Sequence, residues 1–371
     1  MDRQKNNMQC EVFFNPDRVW LAQVWQALEQ RASANFFLSW RWIGCWLDCF
    51  VGNFYLIEAR QGNQIVGLGI IVEARHKAGL GLKKRYYLHR TGETRFDQIW
   101  IEYNDFLMLK GQEAQIRQRM LSTVMRKLVK KEVLVIGACE SDTFPATVIP
   151  NLARQCIWET KTYTLDLERL KARHRRLDQA ISRSARYQIR RSMRQYAALG
   201  KLAVSTATTP EAIKALLEEA HPLHVKRWGS QPGQSGFVNP YFMRFHHLMC
   251  VRNHDVLAVS KITAGEHTVA IMYNFHWHGQ VYFYLSALNY DVPITHAKPG
   301  LVAHYLLINQ ALADGASRYD FMGGATRYKR TFANMESGLA VYAFQQPSLA
   351  LQVENTIRDF KHRLQLSEEY K

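Results

Sequence analysis

The chain of 371 residues carries 48 Lys and Arg against 32 Asp and Glu, a formal net charge of +16, with 47% apolar residues and only 10 prolines. This composition excludes a disordered or low-complexity chain and favours packed domains, two on length alone. The positive excess favours anionic partners such as phosphates, nucleic acid or acidic lipid without choosing among them.

In chain order the pattern predicts a strand from Cys10 (CEVFF), helices over 17–30 and 38–50, and a hairpin of NFYLIEA and QIVGLGIIVE about Gly62-Asn63. Strands over 86–88 and 105–109, a helix over 113–131 and the apolar strand VLVIGA follow. The second half repeats this order. Strand KLAVST precedes two helices opened by Thr209-Pro210-Glu211 and Asn239-Pro240, each a capping residue before a proline at the first helical position. Strands DVLAVSKITA, TVAIMYNFHW and QVYFYLSAL come next, with turns at Gly265 and His278-Gly279. Pro299-Gly300 opens a helix that Gly315 stops, and 319–322 forms the next strand.

The shared order predicts a structural duplication of α/β (α+β) class, each copy a mixed, mostly antiparallel sheet flanked by helices. The expected divisions are an N-terminal domain over 8–165, a basic connecting helix over 166–200, a C-terminal domain over 201–350 and a final helix over 351–371. Six scattered cysteines without CxxC spacing fit a reducing cytoplasm. The start of the chain is polar, so no secretory segment is expected there. The stretch FFLSWRWIGCWLDCFVG from Phe36 carries Arg41 and Asp48 and is short for a membrane span, so it reads as a buried amphipathic helix and no transmembrane segment is expected.

Between the halves, KARHRRLDQAISRSARYQIRRSMR (171–194) holds nine Lys or Arg against one Asp, so its +8 is half of the whole net charge. At 100° per residue Arg183, Arg186, Arg190, Arg191 and Arg194 share one face of a helix, and Ile181, Ala185, Ile189 and Met193 another. Two readings stand for the charged face: an ordinary solvated surface, or an anion-binding one that can take tRNA.

Several motifs, in this order, resemble the CelD-like branch of the GNAT acyltransferases. They are Ser182-x-x-x-Arg186-x-x-Ile189-Arg190-Arg191, Leu223-His224-x-x-Arg227-Trp228, Pro299-Gly300 before a helix, and Asp320-Phe321-Met322-x-Gly324-x-x-x-Tyr328-Lys329. In the first half Ile101-Glu102-Tyr103-Asn104-Asp105-Phe106-Leu107 resembles that branch's N-terminal segment. The resemblance implies two tandem GNAT-like domains, an arrangement shared with Fem-type aminoacyltransferases, and transfer of an acyl group from a coenzyme A thioester or an aminoacyl-tRNA. It departs from the pattern at Ala325 and Thr326, where acidic residues are common in the family.

Acyl transfer needs an acceptor held against a carbonyl, positive charge or N–H donors for the oxyanion, and a base for the acceptor proton. Lys298-Pro299-Gly300-Leu301 is the candidate donor site, because free N–H groups and the helix dipole face a phosphate there; the plain alternative is a helix start. The stretch GGATRYKRT lacks Walker spacing and reads as a turn beside the cleft. Tyr328 is a candidate acid for a leaving thiolate, Lys329 an anion clamp, and Asp320 a base or the partner of Lys329, with Gly324 at the turn. His224 titrates in the range that suits a base. It shares a helical face with Arg227, and Trp228 walls a pocket or belongs to the core. His276-x-His278 has no further ligands at metal spacing, so no metal is expected.

The reading is an acyltransferase moving an acetyl-like group from acyl-coenzyme A to an amine or hydroxyl of a small molecule or saccharide by direct attack, its first half degenerate. The alternatives are an aminoacyl-tRNA-dependent transferase on the same fold and a non-catalytic protein that binds anions or polysaccharide.

Overall fold

The computed structural model describes residues 8–346 apart from 79–80, 130–131, 146–147, 149–151, 174–175 and 293. The helix expected over 351–371 lies outside the described residues. The first half runs β1 (Met8–Phe14), α1 (Arg18–Glu29), α2 (Trp40–Phe50), β2 (Tyr55–Gln61), β3 (Gln64–Ala78), β4 (Gly81–Leu88), α3 (Thr94–Asp97), β5 (Leu107–Met108), α4 (Glu113–Val124), β6 (Val133–Glu140) and β7 (Ala153–Asp166). Asp17 caps α1 by accepting from the Trp20 N–H at 2.7 Å, and Ser39 caps α2 in the same way. The tryptophan-rich α2 is buried along most of its length, through Trp42, Ile43, Trp46 and Leu47. The helix expected over 113–131 ends as α-helix at Val124 and continues as a π turn to Val129.

The basic connection is three short helices rather than one: α5 (Leu167–Arg173), α6 (Leu177–Ala180) and α7 (Arg183–Ala197). Ile181 is extended, and the Ser182 hydroxyl accepts from the Ala185 N–H, so a new helix starts there. The second half continues with β8 (Leu202–Thr206), α8 (Pro210–Trp228), α9 (Pro240–Asn253), β9 (Leu257–Ala264), β10 (His267–Trp277), β11 (Gln280–Leu288), α10 (Pro299–Ala313), β12 (Arg318–Gly323), α11 (Arg327–Phe332) and β13 (Met335–Gln345). Thr209 and Asn239 cap α8 and α9 ahead of Pro210 and Pro240.

Among the described residues the strands form one sheet, in the order β1-β2-β3-β4-β6-β13-β7-β12-β11-β10-β9-β8, with β5 on β3. Each half is an antiparallel run of four strands followed by one parallel neighbour, β4 with β6 and β11 with β12. The last strand of each half then crosses to the other: β7 pairs with β12, β13 with β6, and β7 and β13 pair with each other along the seam. The two halves therefore share one continuous ladder.

They also share a core. Phe36 from the first half stacks on Phe275 of β10 at 4.4 Å, and Trp42 meets Phe245 of α9 at 4.7 Å. Separate clusters fill each half behind its own sheet face, one about α4 and one about α7 and α10. No helix among the described residues is long and apolar enough to cross a membrane.

Candidate active site

The parallel pairs set up the site. β11 and β12 stay in register only from Gln280↔Arg318 to Tyr282↔Asp320, and β4 and β6 only from Arg85↔Val133 to Tyr87↔Val135. Beyond these pairs the strands part, so the backbone groups that face the gap must find partners elsewhere. In both halves a bulge follows at the same place, at 321–322 in β12 and at 137–138 in β6.

The two gaps are finished differently. In the first half Asn104 closes it: its amide donates to the Leu88 carbonyl at 2.8 Å and the Gly137 carbonyl at 3.3 Å, and its backbone N–H donates to the Ala138 carbonyl at 2.8 Å. The His89 ring fixes the Asn104 oxygen from Nδ1 at 2.9 Å. In the second half the corresponding carbonyls, of Met322 and Gly323, receive the Lys329 ammonium instead, at 3.3 Å for Met322. On the β11 side a further bulge near Tyr284 breaks the ladder with β10.

Beside this second gap lies a pocket of ≈ 210 Å³ lined by Lys298, Pro299, Gly300, Leu301, Arg227 and Tyr328, with Ser286 and Leu288 of β11 and His304 of α10. It opens on the first turn of α10, whose N-cap, Lys298, makes no side-chain cap. The early N–H groups of that helix therefore point at the pocket without a side-chain acceptor, as an anion site requires. α7 buttresses the turn: Ser192 Oγ accepts from the Lys298 N–H at 3.3 Å and Gln195 donates to the Thr295 carbonyl at 3.1 Å.

Tyr328 stacks on His304, with ring centroids 5.0 Å apart and planes 17° from parallel. Burial pushes the Tyr328 phenol up to about 12, so it stays protonated at neutral pH. Burial takes His304 down to about 3, helped by the Lys329 charge, so its ring is neutral. Lys329 is only 5% exposed, and burial lowers its ammonium to about 8 although Glu102 and Asp320 both oppose the shift. Asp320, 7% exposed, is raised by burial to about 6, and its Oδ1 accepts the Met322 N–H at 2.7 Å.

Glu102, 4% exposed, accepts from the Gly323 N–H at 2.8 Å and from Trp100 Nε1 at 2.9 Å, and burial raises it to about 7. The Tyr103 hydroxyl is buried, its acidity suppressed first by burial and then by Asp320, and it meets no partner of hydrogen-bonding geometry among the described residues. Trp100, Tyr103 and Met322 all have positive φ, at 51°, 53° and 58°, a backbone strain that side-chain-bearing residues carry only where the surroundings impose it. Gly324, at φ 110°, makes the turn under the Lys329 ammonium.

A larger cleft of ≈ 770 Å³ opens between the halves and reaches the same cluster, lined by Tyr103, Tyr282, Arg318 and Asp320 together with Glu140 and Thr164. Of the other residues singled out from the sequence, Arg227 lines the pocket beside the gap and the rest lie apart from the cluster. His224 Nδ1 pairs with Ser235 Oγ at 2.7 Å, its ring packs on Phe237 and Trp228, and burial lowers it to about 4. Arg227 covers the exposed Trp228 ring at 5.0 Å. Arg186 donates to the Asp178 carbonyl and Arg190 pairs with the Asp178 carboxylate, both at 3.0 Å, and Tyr305 of α10 binds the same carboxylate. Arg183, Arg190, Arg191 and Arg194 remain exposed. Ala325 and Thr326 are exposed ahead of α11.

Sequence reasoning did not single out Trp100, Glu102, Tyr103 or His304. The signal for Glu102 and Tyr103 was IEYNDFL itself, which carries the resemblance but was given no chemistry, and Trp100 stands just before it. Among the described residues no three His, Cys, Asp or Glu cluster so as to hold a metal ion.

Residues 183–330 match the family model described as an acetyltransferase (GNAT) domain. No curated protein matches the sequence. Among solved structures the chain is similar to FemX, at 11% identity over 90% of this chain and 96% of that one, with a TM-score of 0.57. It is similar to L-PGS from Bacillus licheniformis, at 11% identity over 91% and 94%, with a TM-score of 0.53. It is also similar to a conserved protein of unknown function from Bacteroides thetaiotaomicron, at 11% identity over 91% and 100%, with a TM-score of 0.54. At these identities the likeness is one of fold. With the parted parallel strands and the matched region in the same half, residues 183–330 form a GNAT acetyltransferase domain, and the first half repeats its strand order and its parted parallel pair.

Proposed function

We propose that the protein transfers an acyl group from acyl-coenzyme A to an amine or hydroxyl acceptor, with donor and acceptor meeting at the strand gap between β11 and β12. One observation carries the reading: the uncapped start of α10 and a protonated tyrosine line one pocket, and the open gap with its buried lysine lies beside it. The donor fits this pocket through its anionic part, which the free N–H groups of α10, Lys298 and Arg227 would hold. The thioester supplies the activated carbonyl. The acceptor enters by the cleft between the halves, and Asp320, which lines that cleft, takes up its proton. Lys329 sets positive charge at the gap where negative charge grows during attack. Tyr328 holds a proton for the departing sulfur. The absence of acids at Ala325 and Thr326 is met in this reading by Asp320 and Glu102. We place the reaction in the cytoplasm, in the CelD-like branch, and divide the chain into domains as its sequence suggests.

His224, neutral and tied to Ser235, anchors the loop over 229–236 rather than serving as base. Substituting His224→Gln is expected to leave the acid limb of the rate profile near pH 6, where Asp320 sets it. A limb that moved with His224 would return the base role to it.

The test is calorimetric titration of nucleic-acid-free protein with acetyl-coenzyme A, followed by a thiol-release screen of amines and sugars. Saturable binding that weakens in Lys298→Ala supports the reading; no binding removes coenzyme A as donor. A second reading, with aminoacyl-tRNA as donor, draws on the exposed arginines of α7 beside the donor turn. It expects tRNA affinity that falls steeply with salt.

A further inference from the structure

We propose that Glu102 of the first half is a positioning residue of the second half's site, holding the Gly323 peptide and, with Asp320, the Lys329 ammonium at the strand gap. The inference rests on the acyl-transfer reading of that gap. It gives the N-terminal half a part in the reaction although its own gap is shut.

Neighbouring residues of the loop over 100–105 serve different halves. Asn104 bridges β4 and β6 and fills the first gap with three hydrogen bonds. Asp105 turns back to Arg117 of α4 in a two-oxygen ion pair, the closest contact 2.6 Å. Glu102 points the other way, into the second half, where Oε2 takes the Gly323 N–H. Positive φ at Trp100 and Tyr103 is the backbone cost of this alternation, and Trp100 spends its indole N–H on Glu102 Oε1.

Both carboxylate oxygens thus accept N–H donors, an arrangement that favours the ionised form. The Met322–Gly323 peptide so fixed is one whose carbonyl receives Lys329, as does the carbonyl of the next, so the carboxylate and the ammonium bracket a single bulge. The space is tight: a Cβ at Gly323 would stand 2.9 Å from Glu102 Oε1. Lys329 faces Asp320 on β12, Glu102 from the loop and His304 on α10, with Glu140 of β6 acting on Asp320. His304 is neutral, so the two carboxylates are what keep the lysine protonated. Without Glu102 one anion is left against the burial that drives the proton off.

Competitive labelling of amines with acetic anhydride, read at the Lys329 peptide by mass spectrometry across neutral pH, measures its titration midpoint in the full chain. In Glu102→Gln the midpoint is expected to fall by about one unit or more, about a tenfold loss of the protonated form relative to the neutral one. Gly323→Ala displaces the carboxylate without changing charge and is expected to move the midpoint the same way by less. It also serves as the deciding variant should Glu102→Gln not fold. Donor titration stays within twofold of wild type in both, on the order of a shared binding surface left intact, while kcat at pH 7 falls. An unmoved midpoint in a folded variant overturns the proposal. Failure of wild type to bind acetyl-coenzyme A strikes the donor assignment instead and leaves the midpoint to decide the role of Glu102.

Discussion

Lys329→Met is expected to lower kcat about 10²–10³-fold, the scale seen when one preorganised donor to a developing oxyanion is removed, with donor affinity little changed. The substitution keeps the length of the side chain in a site only 5% exposed, so lost charge rather than lost volume is what it tests. The pH profile gives the sharper signature. Burial raises Asp320 to about 6, so the base is ionised, and the rate rises, as pH passes upward through that value. Burial lowers Lys329 to about 8, so the ammonium, and the rate, are lost as pH passes upward through that one. The wild type is expected to show a bell centred near neutrality, and Lys329→Met a profile that keeps the acid limb and loses the alkaline one. A residual alkaline limb in that variant would assign it to another group.

Gly300→Glu is expected to raise the dissociation constant for acetyl-coenzyme A by about tenfold or more, since one like charge placed against a phosphate at a helix start reverses an interaction worth about 1 kcal/mol or more. The same carboxylate suits the first turn of α10 and leaves the fold intact or slightly firmer. Gly300→Ala separates size from charge: its Cβ would meet only Leu288 Cδ1, at 3.2 Å, and the pocket is expected to bind nearly as before. Equal loss in both variants would mean that the turn is a steric wall, and loss in neither would move the donor away from α10. Calorimetry on the two variants and wild type decides.

Much of the proposed site was legible because its residues sit at punctuation marks of the chain. Pro299-Gly300 after Lys298 announces a helix start, and that start lines the pocket proposed for the donor. Gly323-Gly324 ends a strand and delivers Tyr328 and Lys329 on the following helix, next to Asp320. Arg227 joined them there, whereas His224 one turn earlier faces Ser235. The arginine stripe was a true amphipathic pattern, but the pattern could not foresee Asp178, which holds Arg186 and Arg190 at the surface of α6. Glu102 escaped notice because a carboxylate in a loop has no periodicity, and its burial comes from a half of the molecule that lies more than two hundred residues away in sequence.

The repeated order of elements is written locally in the chain, since apolar alternation, prolines at helix starts and glycines at turns are signals that need no partner. It did not announce β7 or β13. In β7 exposed and half-buried residues run together from Ala153 to Lys161, because this part of the strand pairs with β13 alone, β12 joining only from Thr162, and has little core against it. Only in the folded chain do these two strands change places and lie side by side, fusing two similar halves into one sheet. From that exchange follows the division of labour between two equivalent gaps, one sealed by an amide and one left to a lysine. Register between strands distant in sequence is set by the packing of whole faces, and no window of neighbouring residues contains it.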